Sequence, residues 1–195
     1  MNLPNKLTTA RLVLSPVFMV FLLAGRLWTQ YVALGIFVVA SLTDAYDGHL
    51  ARRTGVTTGF GKFMDPLADK VLVSMALISF VGLGVARSWM VLTIVAREFV
   101  ITGLRTLAAY KGMVIMPSRF AKAKTACQMV VVILILGLIV ARGTLGRSMD
   151  DPGPLEGRGV DIALDGMLFV VLLLTVGSGV HYLVRNRALI RGILE

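Results

Sequence analysis

An all-α polytopic membrane bundle of six transmembrane helices is the fold class this sequence predicts, and three observations predict it. The first is composition. Of 195 residues, 56% are hydrophobic and only 16% are charged, whereas soluble domains are about 45–50% apolar and about 25% charged. The second is the recurrence of charge-free runs at 12–25, 27–43, 71–86, 125–141 and 166–184. Each approaches the roughly 20 residues that cross about 30 Å of hydrocarbon. A sixth segment, 88–110, is apolar apart from Arg97, Glu98 and Arg105.

The third observation is how the formal charge of +9 is distributed. With both termini cytoplasmic, that side holds Lys6, Arg11, Arg52, Arg53, Lys62, Lys70, Arg105, Lys111, Arg119, Lys122, Lys124, Arg185, Arg187 and Arg191, 14 of the 20 basic residues. The opposite side holds Arg26, Arg87, Arg142, Arg147 and Arg158. The positive-inside bias sets this orientation. A basic cytoplasmic face suits anionic lipid and phosphate-bearing substrates. Basic residues interleaved with spans argue against nucleic-acid binding. The single cysteine, Cys127, allows no internal disulfide and reads as a small packing residue.

Taken in order, Asn2–Asn5 reads as a cap and turn leading into a short N-terminal interfacial helix. Helix 1 is expected over about 11–25 and helix 2 over about 31–51. No clear cleavage site follows the first apolar run, so it does not read as a removable signal. The Gly- and Thr-rich connection 53–64 predicts a tight turn into helix 3, which runs to about 86 with Pro66 in its first turn. The short turn makes helices 2 and 3 antiparallel neighbours. Helix 4 is expected over 88–110, helix 5 over 119–141 and helix 6 over 161–184. The Gly- and Pro-containing stretch 142–160 reads as an external loop, with Asp150, Asp151 and Glu156 solvated. Trp28, Tyr31 and Trp89 fall at external span ends, where interfacial aromatics anchor. His181 reads as a helix-packing residue. The whole chain, 1–195, reads as one domain.

Chemistry concentrates in four aspartates. Asp44 and Asp47 are three residues apart at the cytoplasmic end of helix 2, and Asp65 and Asp69 are four apart at the start of helix 3. Each pair therefore shares a helix face. Four carboxylates at that depth repel one another and lose solvation unless cations compensate. Oxygen ligands in this number suit Mg²⁺ or Mn²⁺, hard cations often shared with substrate phosphates. Gly48 and Ala51 remove bulk on the next turn, Gly61 does so on the facing helix, and Arg52 adds a permanent cation with a fork of donors.

Asp44-x-x-Asp47-Gly48-x-x-Ala51-Arg52, eight residues, then Gly61-x-x-x-Asp65-x-x-x-Asp69 resembles the full signature of the CDP-alcohol phosphatidyltransferases. Every defined position and spacing agrees. The resemblance implies a membrane enzyme that moves a lipid from CDP to an alcohol and releases CMP. It further implies a two-metal centre held by Asp44, Asp47 and Asp65, with Asp69 beside it as the base. Gly48, Ala51, Arg52 and Gly61 would line the CDP site, and Asn5 and Thr8 would touch the nucleotide from the N-terminal turn. A dimer in a bacterial inner membrane, with its active site on the cytoplasmic side, is expected on the same grounds.

The second half of the chain is expected to choose the alcohol. Arg105, Arg119, Lys122 and Lys124 gather at the cytoplasmic ends of helices 4 and 5 and suit the phosphate of a small acceptor. Arg97 and Glu98 lie about nine residues into a span, where charges rarely face lipid. Being adjacent, they are expected to find separate partners. Asn5-x-x-Thr8-x-x-Arg11, Asp65-Pro66-x-Ala68-Asp69-Lys70, Arg97-Glu98-Phe99, Gly103-Leu104-Arg105 and Lys122-x-Lys124-Thr125 resemble the branch of the family that joins CDP-diacylglycerol to glycerol 3-phosphate. This resemblance covers about residues 3–128, and helix 6 adds nothing specific to it. The stretch Ile115–Ala121 departs from the pattern, which has small residues and a glycine near position 121. The rival readings are the same chemistry on inositol phosphate, serine or phosphatidylglycerol, and a divalent-cation carrier. A carrier needs acids spread through the membrane depth. Here all four lie at one side.

Overall fold

Most of every apolar run of the sequence lies in a helix, as a backbone in hydrocarbon must satisfy its hydrogen bonds internally. A computed structural model describes residues 3–54, 59–113, 119–145 and 157–187; the side chains of 3–7, 44–54, 59–66, 69 and 119 are not among those described. Within these bounds run α1 (Leu3–Leu23), α2 (Leu27–Thr54), α3 (Gly59–Gly82), α4 (Ser88–Tyr110), α5 (Arg119–Leu145) and α6 (Arg158–Arg185). Hydroxyls within the apolar helices bond back to their own backbone, as Ser79 Oγ does to the Met75 carbonyl at 2.7 Å and Thr144 Oγ1 to Val140 at 2.8 Å.

Several expected boundaries change: α2 runs from Leu27 to Thr54 instead of 31–51, and α3 ends at Gly82 instead of near 86. The interfacial turn and first span form one continuous helix from Leu3, even though Pro16 stands inside it. Pro16 cannot donate to the carbonyl four residues back. Next to it, Ser15 Oγ donates to the Arg11 carbonyl at 2.8 Å, which satisfies that hydroxyl within the helix. Likewise α3 begins at Gly59, which puts Pro66 in its interior rather than its first turn. A proline there costs about 3 kcal/mol, which the long apolar remainder of α3 outweighs by burial. Helix 4 has the expected bounds. Of the expected external loop, 142–145 continue α5, 158–160 open α6, and 146–156 lie outside the described residues.

Gly25 and Gly84, at φ +69° and +71°, turn the chain between α1 and α2 and between α3 and α4. Left-handed backbone of this kind favours glycine. The core draws on all six helices through Phe18, Phe37, Phe80, Ile94, Ile135 and Leu168, all fully buried. Phe18 and Phe37 stack at 5.6 Å between α1 and α2. α1 packs extensively on both α2 and α3. Among the described residues α1 thus bridges those two helices. Cys127 packs against the core as expected, whereas His181 is exposed instead of packed.

The outer surface is apolar as well. Val20, Leu42, Leu92 and Val184 are 67%, 65%, 70% and 64% exposed, a pattern that water would penalise. By length and composition, α5 from Phe120 and the whole of α6 can cross a membrane, and shorter apolar stretches fill α1, α2 and α3. The architecture is all-helical and consistent with a membrane protein.

Candidate active site

Glu98 stands near the middle of α4, ten residues after its start, and is 5% exposed. A carboxylate at that depth requires partners, and three cations supply them. Lys124 of α5 donates to Oε1. Arg97 Nη1 reaches the same oxygen at 2.7 Å, and Lys70 Nζ of α3 lies 3.4 Å from Oε2. The guanidinium of Arg97 extends to α6, where Nη2 donates to Ser178 Oγ at 2.8 Å. One carboxylate thus ties together three helices and, through Arg97, a fourth.

Arg97 and Glu98 do find separate partners, Ser178 for the first and Lys124 and Lys70 for the second, and the structure adds a contact between the two themselves. Adjacent helical residues do not face each other at Cβ, but the long arginine stem curls back to its neighbour. Space for that stem comes from α6. A Cβ at Gly179 would lie 2.9 Å from Arg97 Nε and 3.3 Å from its Cγ. Ser178 and Gly179 are therefore part of the site, although helix 6 carries no family motif. Gly177-Ser178-Gly179 in an apolar helix was the available signal, since small residues permit close helix approach.

Beside the network lies a cavity of about 660 Å³ lined by Lys70, Arg97, Arg105, Lys122, Thr125 and Tyr182, with Glu98 at its wall. Four cationic side chains face it against one carboxylate. Arg105 sits over the Tyr182 ring, 5.8 Å from its centroid, a cation–π distance. Arg97 Nε, Arg105 Nε and Tyr182 Oη are buried without a hydrogen-bond partner among the described residues. Buried donors left unmatched are costly, and here they cluster where positive charge is in excess. Such a cavity fits an anion rich in oxygen acceptors.

Of the residues proposed for the acceptor, Arg105 and Lys122 meet at this cavity. Lys124 does not line it, since its side chain is 1% exposed and turned onto Glu98. The Arg119 side chain lies outside the described residues. Across α4 from the cavity, an apolar groove of about 520 Å³ runs along Leu67, Phe99, Thr102, Gly103, Thr106 and Leu107. Thr102 borders both spaces.

The helices that carry the aspartates lead to the same end of the bundle. Asp44 and Asp47 lie in α2, Asp65 and Asp69 in α3, and Lys70 directly follows Asp69 in the chain. Their side chains, with those of Asn5, Gly48, Ala51, Arg52 and Gly61, lie outside the described residues. Thr8 is buried in α1 at 5% exposure. Two pairs of carboxylates on two helices form a donor set whose chemistry fits hard divalent cations.

The family model for CDP-alcohol phosphatidyltransferase matches residues 1–151. The chain belongs to that family. The transferase is 44% identical over 147 residues to a CDP-diacylglycerol–glycerol-3-phosphate 3-phosphatidyltransferase of Bacillus subtilis strain 168, covering 69% of this chain and 76% of the relative. It is 34% identical over 185 residues to a protein of the same name from Rickettsia felis, with 93% of each chain covered. A probable phosphatidylglycerophosphate synthase of Mycobacterium tuberculosis strain H37Rv is 39% identical over 197 residues, covering all of this chain and 86% of that one. The last two similarities extend through α6, beyond the reach of the family model.

Proposed function

We propose that the transferase moves the phosphatidyl group from CDP-diacylglycerol to glycerol 3-phosphate, giving phosphatidylglycerophosphate and CMP. The cationic cavity carries this choice of acceptor. Four basic side chains and three unmatched donors around one space call for a phosphorylated alcohol, not serine. The names of the relatives from Bacillus subtilis and Rickettsia felis point the same way. In this reading the six helices span the inner membrane of a bacterium as one domain. Both termini are cytoplasmic, the aspartates and the cavity sit at the cytoplasmic side, and the chain works as a homodimer.

Asp44, Asp47 and Asp65 are the residues that would hold two divalent ions, Mg²⁺ or Mn²⁺, with Asp69 beside them. Bound there, such ions would neutralise charge on the diphosphate and on departing CMP. Arg52 binds the donor diphosphate, while the small residues Gly48, Ala51 and Gly61 leave room for the nucleotide. Asn5 and Thr8 contact the nucleotide from α1. Arg105 and Lys122 grip the acceptor phosphate, joined by Arg119 from the start of α5. Lys124 adds positive charge from behind Glu98. Asp69 takes the proton of the acceptor hydroxyl as its oxygen bonds to phosphorus and the bond from phosphorus to CMP breaks. The apolar groove beginning at Leu67, between Asp65 and Asp69 in the chain, suits an acyl chain of the donor.

Purified enzyme supplied with radiolabelled CDP-diacylglycerol and a panel of alcohols tests this reading. Phosphatidylglycerophosphate should form only with glycerol 3-phosphate, with one CMP released per product. A lipid product with inositol phosphate, serine or phosphatidylglycerol in its place would reassign the acceptor. Absence of CMP with every alcohol would favour a cation carrier.

A further inference from the structure

A single buried carboxylate needs one cation for balance, and Lys124 supplies it to Glu98. Lys70 and Arg97 go beyond that requirement. Each has a different address. Lys70 directly follows Asp69 in α3, so whatever holds Lys70 also fixes how far α3 is rotated and advanced toward α4. Arg97 is held from the other side by Ser178 and rests against Gly179, so Glu98 is clamped by α6 as well. The helices it joins to α3 are the two that present Arg105 and Lys122 to the cavity.

We propose that Glu98 is a positioning residue for phosphatidyl transfer: through Lys70 it sets the spacing between the aspartate-bearing helix α3 and the helices that grip the acceptor phosphate. The inference rests on the acceptor assignment above. The aspartates and Arg52 sit on α2 and α3, whereas Arg105 and Lys122, which grip the acceptor phosphate, sit on α4 and α5, so each headgroup keeps its own contacts when the link is lost. Alignment of the acceptor hydroxyl with the donor phosphorus then suffers, and a misplacement of about 1 Å can cost about a hundredfold in rate. The signature of a positioning residue is thus a loss in kcat at nearly constant KM.

Full-length enzyme carrying Glu98→Gln, which keeps the side-chain shape and removes its charge, tests this. Per folded molecule, kcat should fall about tenfold or more, while KM for CDP-diacylglycerol and for glycerol 3-phosphate each stay within about threefold. A double-mutant cycle with Lys70→Met should be strongly non-additive, the pair losing little more than the worse single variant. Unchanged kcat in the folded fraction would overturn the proposal and leave Glu98 a packing residue. So would a rise in KM for glycerol 3-phosphate alone, or additive losses in the cycle. If Glu98→Gln does not fold, Glu98→Asp retains the charge on a shorter stem and should show the same kcat-selective loss; wild-type kcat there would equally overturn the idea. Wild-type enzyme run alongside separates the two levels, because a wild type that makes no product from glycerol 3-phosphate sinks the acceptor assignment itself.

Discussion

Both ends of the bundle are tied by ion pairs between helices, but the two ends are built on opposite principles. At the end that carries Trp28 and Trp89 each described ion pair joins one cation to one carboxylate. Arg87 bonds Asp165 through Nε at 2.9 Å and Nη2 at 2.7 Å, Arg142 Nη2 meets Asp161 at 3.1 Å, and the hydroxyls of Tyr31 and Thr144 lie 2.8 Å apart. Each pair has one open partner, the Arg87 side chain being 62% and the Asp161 side chain 70% exposed. At the other end, three cations crowd one buried carboxylate, and two more stand beside it on the cavity. Matched, exposed charges staple neighbouring helices at little cost. Unmatched positive charge gathered around one partly buried space is costly in isolation, and in the proposed reading a bound anion balances it.

The largest effect should come from the aspartates. Asp69→Asn is expected to remove about 10²–10⁴-fold of the turnover that a general base supplies. CDP binding, measured by calorimetry, should remain near normal. Turnover close to wild type would take Asp69 out of the base role. Next comes the cavity. Arg105→Met removes a charged contact of about 1.5–3 kcal/mol, which should raise KM for glycerol 3-phosphate about tenfold to a hundredfold. KM for CDP-diacylglycerol should hold steady, and a shift in the donor constant instead would move Arg105 to the nucleotide side.

A pair of neighbouring glycines sharpens the contrast further. Gly179→Ala drives a methyl into the stem of Arg97, which is pinned at both ends of its guanidinium, and should destabilise the fold by about 1–3 kcal/mol. Two residues away, a Cβ at Gly177 would meet only the Phe120 ring at an ordinary 3.8 Å. Gly177→Ala should therefore be neutral or stabilising by up to about 1 kcal/mol from helix propensity. Thermal denaturation in detergent reads both, and equal responses would show that Arg97 moves aside freely. The smallest effect belongs to the opposite end. Asp161→Ala should cost less than about 1 kcal/mol, and salt should shrink that further. A larger, salt-independent loss there would erase the distinction between the two ends.

Much of this molecule is legible in one dimension. The bounds of α4 follow from Arg87 and Lys111 flanking an apolar run, and the tryptophans mark span ends without reference to any neighbour. The aspartate signature is likewise a matter of spacing along two helices. Other features were hidden. Lys122 and Lys124 read as equivalent cations two residues apart, yet Lys122 faces the cavity and Lys124 is buried on Glu98. Two residues on a helix turn about 200°, so one must point away from the other; which one points inward depends on how α5 is rotated against α4. The α6 contribution was invisible for the same reason, since Ser178 and Gly179 matter only where α4 approaches them.

Composition and apolar length by themselves determined that this chain folds as an all-helical protein of membrane type. Those are local properties, settled by rise per residue and by the cost of burying polar groups in hydrocarbon. Tertiary structure alone decided that α1 wedges against both aspartate helices, and that Glu98 takes Lys70, Arg97 and Lys124 together. Pairing of buried charges is chosen by distance in three dimensions. Long lysine and arginine stems can reach several carboxylates, and only packing says which one.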